Sequence, residues 1–422
     1  MDDQTITNLR TNAIAAFQAG ISAADPKKAL KIALGKTPIP LIKNNGSYII
    51  ISIGKAACKM AECALEAIPK SEKMYAVAVT NFENIVPVVG CEVIGASHPI
   101  PCINGFNASK KIINYLTNAT QNDIVVMLVS GGSSALIPAP VDGISLEDKV
   151  MVNKVLISSG FDIYETNLVR QSLSLLKGGG ILELATPATV HSYILSDVLG
   201  DDLRVVGSGP SVGPLGDLSD AKKLLKNKNI FSLLPINVQN YYNSSLLSNK
   251  LFATEHLSLI AGNANSVRAM AKKINAILVL EPLIGDVQDA AKKIVTLIAK
   301  QIGKGPFSIA IGGETTVKIT GNGKGGRNQE LALRVAFELE LLDMLTPWCF
   351  LSGGTDGRDG PTDAAGGLVD NTTIKKIVQK GKKINDYLES NDSYHALELV
   401  GDLLKTGATG TNVADLQLFI SA

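Results

Sequence analysis

The stretch Gly321-Asn322-Gly323-Lys324-Gly325-Gly326-Arg327 combines glycine punctuation with two cations just ahead of a helical pattern. Glycine lets a backbone approach a ligand closely, and a helix start offers N–H groups to an anion. Gly321, Gly323 and Gly326 satisfy G-x-G-x-x-G, which alone says little. A dinucleotide site would want a carboxylate about twenty positions on, at the end of the next strand. Asp343 falls inside the predicted helix and Asp356 lies too far along. Lys324 and Arg327 suit polyphosphate charge better, and a glycine hairpin with surface charges is the plain alternative.

Other candidate groups follow predicted strands, where open α/β sheets bind ligands. Gly54 turns the chain out of an apolar run and Lys55 opens a helical one, so Lys55 is either an anion-binding group or a solvated lysine. Ser130, Gly131, Gly132 and Ser133 form a strand-to-helix turn that can cradle a phosphate or carboxylate, or simply cap a helix. Arg170 and Lys177 lie two turns apart on one predicted helix, just before the glycine run 178–180. That pattern fits an anion site or a helix end with favourable cations. Asp197 closes a strand and can hold Mg²⁺ or take a hydroxyl proton, whereas Asp201 and Asp202 read as capping residues. Gly312, Gly313 and Glu314 form a turn between two predicted strands just before the glycine loop. Asp356, Asp359 and Asp363 crowd a glycine-rich run dense enough in carboxylates for a hydrated Mg²⁺.

Several chemistries are excluded. The chain has no G-x-x-x-x-G-K-[ST] loop and no H-R-D-x-x-x-x-N. Its four histidines show no ligand pairing, and its five scattered cysteines form no C-x-x-C. G-x-S-x-G occurs once, around Ser211, but prolines bracket that serine where a nucleophile elbow needs a strand and a helix. Net charge is +1, with no broad case for nucleic acid or an anionic membrane. The acidic, polar start and the lack of a bilayer-length apolar run predict a cytoplasmic protein.

The elements that must position these groups alternate. Apolar runs at 48–53, 75–80, 124–130, 190–196, 257–261, 276–280, 307–311, 316–320, 348–352 and 416–420 read as strands. Amphipathic runs at 8–24, 56–68, 106–117, 146–159, 163–176, 287–301 and 327–345 read as helices. This alternation predicts an α/β protein with mainly parallel sheets. With 422 residues, 45% hydrophobic and 19% charged, two ordered domains are expected. The Asn/Ser/Lys-rich stretch 225–250 places a linker near its end, dividing the chain into 1–250 and 251–422.

Taken in order, VSGGSSAL, ILSDVLGDDLRVVGSGP, GGETTVKITGNGKGGRNQE, GGTDGRDGPTDAAGG and TGATGTNVADL resemble the glycerate 2-kinase family across nearly the whole chain. One departure is Ala408, where that family usually has proline. The resemblance implies a Rossmann-like N-terminal domain joined to an α/β MOFRL domain. It also implies ATP- and divalent-metal-dependent phosphorylation of D-glycerate to 2-phosphoglycerate in an interdomain cleft, a step of carbohydrate metabolism. Lys55 and Arg327 match the family's lysine after the first strand and arginine in the glycine loop. On that basis Lys55, Asp197 and Arg327 are expected to be catalytic. Ser130, Gly131, Gly132, Ser133 and Arg170 are expected to bind substrate. Lys177, Gly312, Gly313, Glu314, Gly323 and Lys324 are expected to bind nucleotide, and Asp197 and Asp356 the metal. Partners are then glycerate and ATP, and a homodimer is compatible with the sequence. Relatives labelled hydroxypyruvate reductases supply a rival, an NAD(P)H-dependent reductase; a non-catalytic nucleotide or anion sensor is a second.

Overall fold

The computed structural model describes residues 3–42, 45–70, 72–244, 252–342, 344 and 346–422. It divides into two compact units. One comprises Pro26–Ser196 and Asp201–Ile260; the other comprises Asp197–Gly200, Ala261–Ala422 and the N-terminal segment through Asp25.

The first unit is built on a six-stranded sheet in the order Glu92–Ala96, Met74–Asn81, Tyr48–Ile53, Ile124–Val129, Thr189–Leu195, Glu255–Ala261. The four pairings that join Glu92–Ala96 through to Thr189–Leu195 are all parallel. Tyr48–Ile53 and Ile124–Val129 are buried along their whole length, as a strand covered on both faces requires. A second core lies among helices Leu146–Ser158, Ile163–Ser172, Leu218–Asn227 and Ile236–Ser244, around Leu156, Val169 and Val238. The Asn/Ser/Lys-rich stretch therefore begins inside a packed helical group, and its end, with the expected linker and the boundary at 250/251, lies outside the described residues.

The second unit has a seven-stranded sheet in the order Leu403–Leu404, Gly366–Asp370, Trp348–Gly354, Asp415–Ser421, Ser308–Thr316, Ile277–Leu278, with Leu283–Asp286 also beside Ser308–Thr316. Here the expectation of mainly parallel sheets fails: four of the pairings are antiparallel. Helices cover both faces, so antiparallel strands are as continuously apolar as parallel ones, and the pattern does not tell them apart. Helices Val287–Ala299 and Arg327–Leu341 pack on one face; Asp3–Ala23 and Asn263–Ile274 pack on the other.

The N-terminal helix thus belongs to the unit formed by the end of the chain. Arg10 bonds Asp370 at 2.6 Å and Asp402 at 3.0 Å, and Phe17 is fully buried against the sheet. Burying one such phenylalanine stabilises by about 1.5–3 kcal/mol.

Candidate active site

In the first unit the strand order reverses between Tyr48–Ile53 and Ile124–Val129, the kind of switch point at which open α/β sheets bind ligands. Gly54 leaves its strand at φ +118°, and a Cβ there would fall 2.2 Å from Ser130 Oγ. Glycine is therefore required. The Ser130 hydroxyl accepts from the Ala56 N–H at 3.1 Å and donates to the Ile53 carbonyl at 3.2 Å. Those two bonds join the two strand ends, so Ser130 holds the turn on which the other candidate ligand groups sit. The Lys55 N–H donates to Gly131 O at 2.9 Å, and Asn84 Nδ2 donates to Lys55 O at 3.1 Å. The Lys55 side chain and the His98 ring both reach the open face of Gly132. Burial first, then the Lys55 ammonium, holds His98 below its usual pKa.

Beyond Gly132, Ser133 Oγ is buried with no hydrogen-bond partner among the described residues. Lys177, expected at the nucleotide, is 3% exposed and donates to Ser134 O at 2.6 Å and Ser134 Oγ at 2.9 Å. Arg170 is half-buried and donates from Nε to Asn153 Oδ1 at 2.8 Å. Asp197 directly follows the strand Thr189–Leu195 and its neighbour Ser196, and is half-buried.

In the second unit Arg327 is the first residue of helix Arg327–Leu341. Its Nε and Nη2 donate to the two oxygens of Asp415 at 2.7 and 3.0 Å, and Nη1 donates to Glu314 at 2.7 Å. Burial opposes its charge, but Asp415 and then Glu314 outweigh that and raise its pKa. Three of five guanidinium N–H groups are thus used, leaving two for a ligand. Arg327 lines a recess of about 650 Å³ with Thr315, Gly323, Asp356, Arg358 and Asp359.

The helix start itself is taken. Asp359 accepts from the Asn328 N–H at 3.1 Å and the Gln329 N–H at 2.8 Å, capping the helix from another loop. Burial pushes its carboxyl up to about 6, against the pull of those two amides. A Cβ on Gly326 would sit 2.3 Å from Asp359 Cγ.

The other loop glycines answer to packing as well. Cβ atoms on Gly321 and Gly323 would meet Ser390 and Asp392 within 2.5 Å. The Gly321, Gly323 and Lys324 amides donate to Asn391 Oδ1, Ser390 O and Asp392 Oδ1 at 3.0, 2.8 and 2.8 Å. The amides of Gly323 and Lys324 are therefore occupied within the fold, and the Lys324 ammonium lies 4.0 Å over the Tyr394 ring. Gly312 and Gly313 are not a turn: one strand, Ser308–Thr316, runs through both. Cβ atoms there would strike Asn263 Oδ1 at 2.0 Å and Leu283 O at 2.2 Å.

The three aspartates of the glycine-rich run diverge. Asp356 Oδ1 accepts from the Arg358 N–H, Asp359 caps the helix, and Asp363 pairs with Lys405 at 2.8 Å. Among the described residues no three His, Cys, Asp or Glu side chains are grouped to hold a metal ion. Asp415 and Asn391 were not singled out from sequence. The available signal for Asp415 was a charged residue opening the mostly apolar last strand.

Comparison with known proteins bears on this arrangement. A family model described as a domain of unknown function (DUF4147) matches residues 12–243, and the MOFRL family model matches 307–415. A D-glycerate 2-kinase of Thermotoga maritima is 36% identical over 97% of both chains. The chain belongs to the glycerate 2-kinase family. A glycerate 2-kinase of Pyrococcus horikoshii, also of that family, is 37% identical over 95% of this chain and 94% of its own. The crystal structure of a Thermotoga maritima glycerate kinase superposes with a TM-score of 0.89 at 35% identity, covering 99% of this chain and 100% of that one. In this chain Lys55 falls within the segment matched by the first family model and Arg327 within that matched by the MOFRL model.

Proposed function

We propose that this protein transfers the γ-phosphate of ATP to the 2-hydroxyl of D-glycerate, giving 2-phosphoglycerate, with groups from both units taking part. The observation that carries this reading is Arg327. Its guanidinium is fixed by Asp415 and Glu314, faces the recess, and keeps two N–H donors. Phosphoryl transfer depends on alignment and charge neutralisation more than on covalent help. Arg327 and Lys55 neutralise charge on the transferring group, and the turn at Gly131, Gly132 and Ser133 with Arg170 holds the hydroxy acid. Asp197 orients or deprotonates the attacking hydroxyl. Glu314 steadies Arg327; Gly323 and Lys324 shape the nucleotide side of the recess.

A divalent cation such as Mg²⁺ supplies further charge neutralisation on the phosphates. Asp356 fits it, because only one of its oxygens has a described partner and it shares the recess with Arg327. Mg²⁺ needs only one or two carboxylates beside the phosphates and water. Asp197 is the second proposed ligand.

The reductase reading is weakened by geometry. A dinucleotide pyrophosphate sits on the helix N-terminus after its glycine loop. Here Asp359 takes that position, and strand Asp415–Ser421 intervenes between the two strands that flank the helix. No described helix is long and apolar enough to cross a membrane. The proposal includes a cytoplasmic location and a homodimer, the latter open to light scattering.

ADP release coupled to a reporter, with D-glycerate as acceptor and the product assigned by ³¹P NMR, tests the activity. Oxidation of NADH with hydroxypyruvate in the absence of ATP would replace it with the reductase. ATP binding without turnover in the presence of glycerate would replace it with a sensor.

A further inference from the structure

Three cations in the parallel-sheet unit have no counter-charge among the described residues. Lys149, on helix Leu146–Ser158, is 6% exposed and its Nζ donates to Leu173 O at 3.1 Å. Arg170 sits in the last turn of Ile163–Ser172, and Lys177 follows that helix beneath Ser134. Lys149 and Arg170 converge, since Lys149 Nζ reaches Leu173 O just past Arg170 and Arg170 Nε reaches Asn153, one turn along the helix from Lys149; like charge from both adds to the burial that opposes the Lys177 ammonium. Among the described residues none of them forms an ion pair.

Of the acids at the starts of these helices, Glu147 is exposed and the other three are committed elsewhere. Asp148 closes a capping box with Ser145 and bonds Asn237, Asp162 caps the next helix, and Glu165 pairs with Lys228 at 2.8 Å. The charged form of a buried cation is costly without a partner, and a second and third nearby make it worse. Burial, with Arg170 adding to it, brings Lys149 down to about 7, and burial lowers Lys177 well below its ordinary value.

Two further observations point to what completes the cluster. The four Nη–H bonds of Arg170 have no partner among the described residues, so a planar donor fork is available. Ser133 Oγ, on the turn that Lys177 holds through Ser134, is fully buried and has no partner among the described residues.

We propose that Lys149, Arg170 and Lys177 form the oxyanion site of the parallel-sheet unit, taking the carboxylate of the hydroxy acid or the phosphate of its product. This rests on the glycerate-kinase reading for the ligand's identity, though not for the site's existence. Arg170 supplies the direct fork to the anion. Lys177 is a positioning residue that fixes the Ser133–Ser134 turn, and Lys149 adds charge from beneath.

Isothermal titration calorimetry with D-glycerate and, separately, inorganic phosphate decides the matter, run on the full chain and on Arg170→Gln, Lys149→Met and Lys177→Met. Each variant is expected to weaken binding about tenfold or more, with partial recovery in Lys149→Arg and Lys177→Arg. In the kinase assay the KM for glycerate should rise while the KM for ATP stays put. Loss confined to glycerate assigns the site to the carboxylate; loss confined to phosphate assigns it to the product. Folded variants that bind both anions like the parent, or a parent that binds neither, overturn the site. If either methionine variant does not fold, half-buried Arg170→Gln decides alone. A parent without kinase activity whose anion binding still depends on the three cations would overturn the function reading and leave the site standing.

Discussion

Arg327 meets Asp415 through two side-on bonds of 2.7 and 3.0 Å, on a carboxylate that keeps only 1% of its side-chain surface. The arginine is therefore a structural partner as well as a candidate transition-state group. Arg327→Ala is expected to lower kcat by roughly 10³ or more. It should also destabilise the protein by about 1–3 kcal/mol, because Asp415 loses its partner. Arg327→Met with Asp415→Leu should regain stability in urea melts without regaining turnover. Near-normal turnover in folded Arg327→Ala would refute the role given to it.

Asp359 caps a helix to which it is not adjacent in sequence. Asp359→Ala should cost about 1–2 kcal/mol, since two buried amides lose their acceptor. Because the capped helix begins at Arg327, the kcat of Asp359→Ala should fall too. Unchanged amide exchange at Asn328 and Gln329 in that variant would contradict the cap.

Asn391 holds the glycine loop from beside it. At φ +55°, its side chain accepts from the Thr320 and Gly321 amides at 2.7 and 3.0 Å and donates to Lys318 O and Glu330. Asn391→Gly tolerates the backbone but removes every one of these bonds. Hydrogen exchange across 318–326 should accelerate at least about tenfold, the equivalent of roughly 1.4 kcal/mol of local stability. Exchange at the parent rate would show that the loop is held by something else.

His191 and His256 stack on neighbouring strands with centroids 4.4 Å apart. Burial, and then His256, lowers His191 to about 4. The folded chain therefore binds this proton less readily than the unfolded chain, whose histidines titrate near 6.5. Stability is complete above about pH 6.5 and declines as pH falls toward 4, by at most ~1.4 kcal/mol per unit for this one site. His191→Gln should flatten that slope between pH 6.5 and 5, and an unaltered slope would assign the acid sensitivity to other groups.

What could be read from sequence was local. Tyr48–Ile53 is six apolar or small residues in a row, and the structure makes it a strand over those bounds. Lys55 follows that strand and Arg327 begins its helix because glycines punctuate both places. Gly312 and Gly313 misled for the same reason: glycine marks close approach as readily as a turn, and the approaching atoms belong to Asn263 and Leu283. Helix Asn263–Ile274 went unread because its polar residues dilute a single buried face. Strand Gly366–Asp370, with two leading glycines, lacks the β-branched run that announces a central strand. The partners that fix Arg327 and its loop, Asp415, Asp359 and Asn391, lie far along the chain, where no spacing rule reaches.

The helix Asp3–Ala23 has its partners at Asp370, Asp402 and the strand Asp415–Ser421. During synthesis it emerges well before those partners, and its apolar face stays uncovered until they follow. The parallel-sheet unit, contiguous but for a short excursion, is free to fold in the meantime. The MOFRL unit closes a long loop, so its assembly carries the entropy of bringing two segments distant in sequence together. A fragment beginning at Ala261 would therefore expose the sheet face that Phe17 covers, and should aggregate where the intact chain does not.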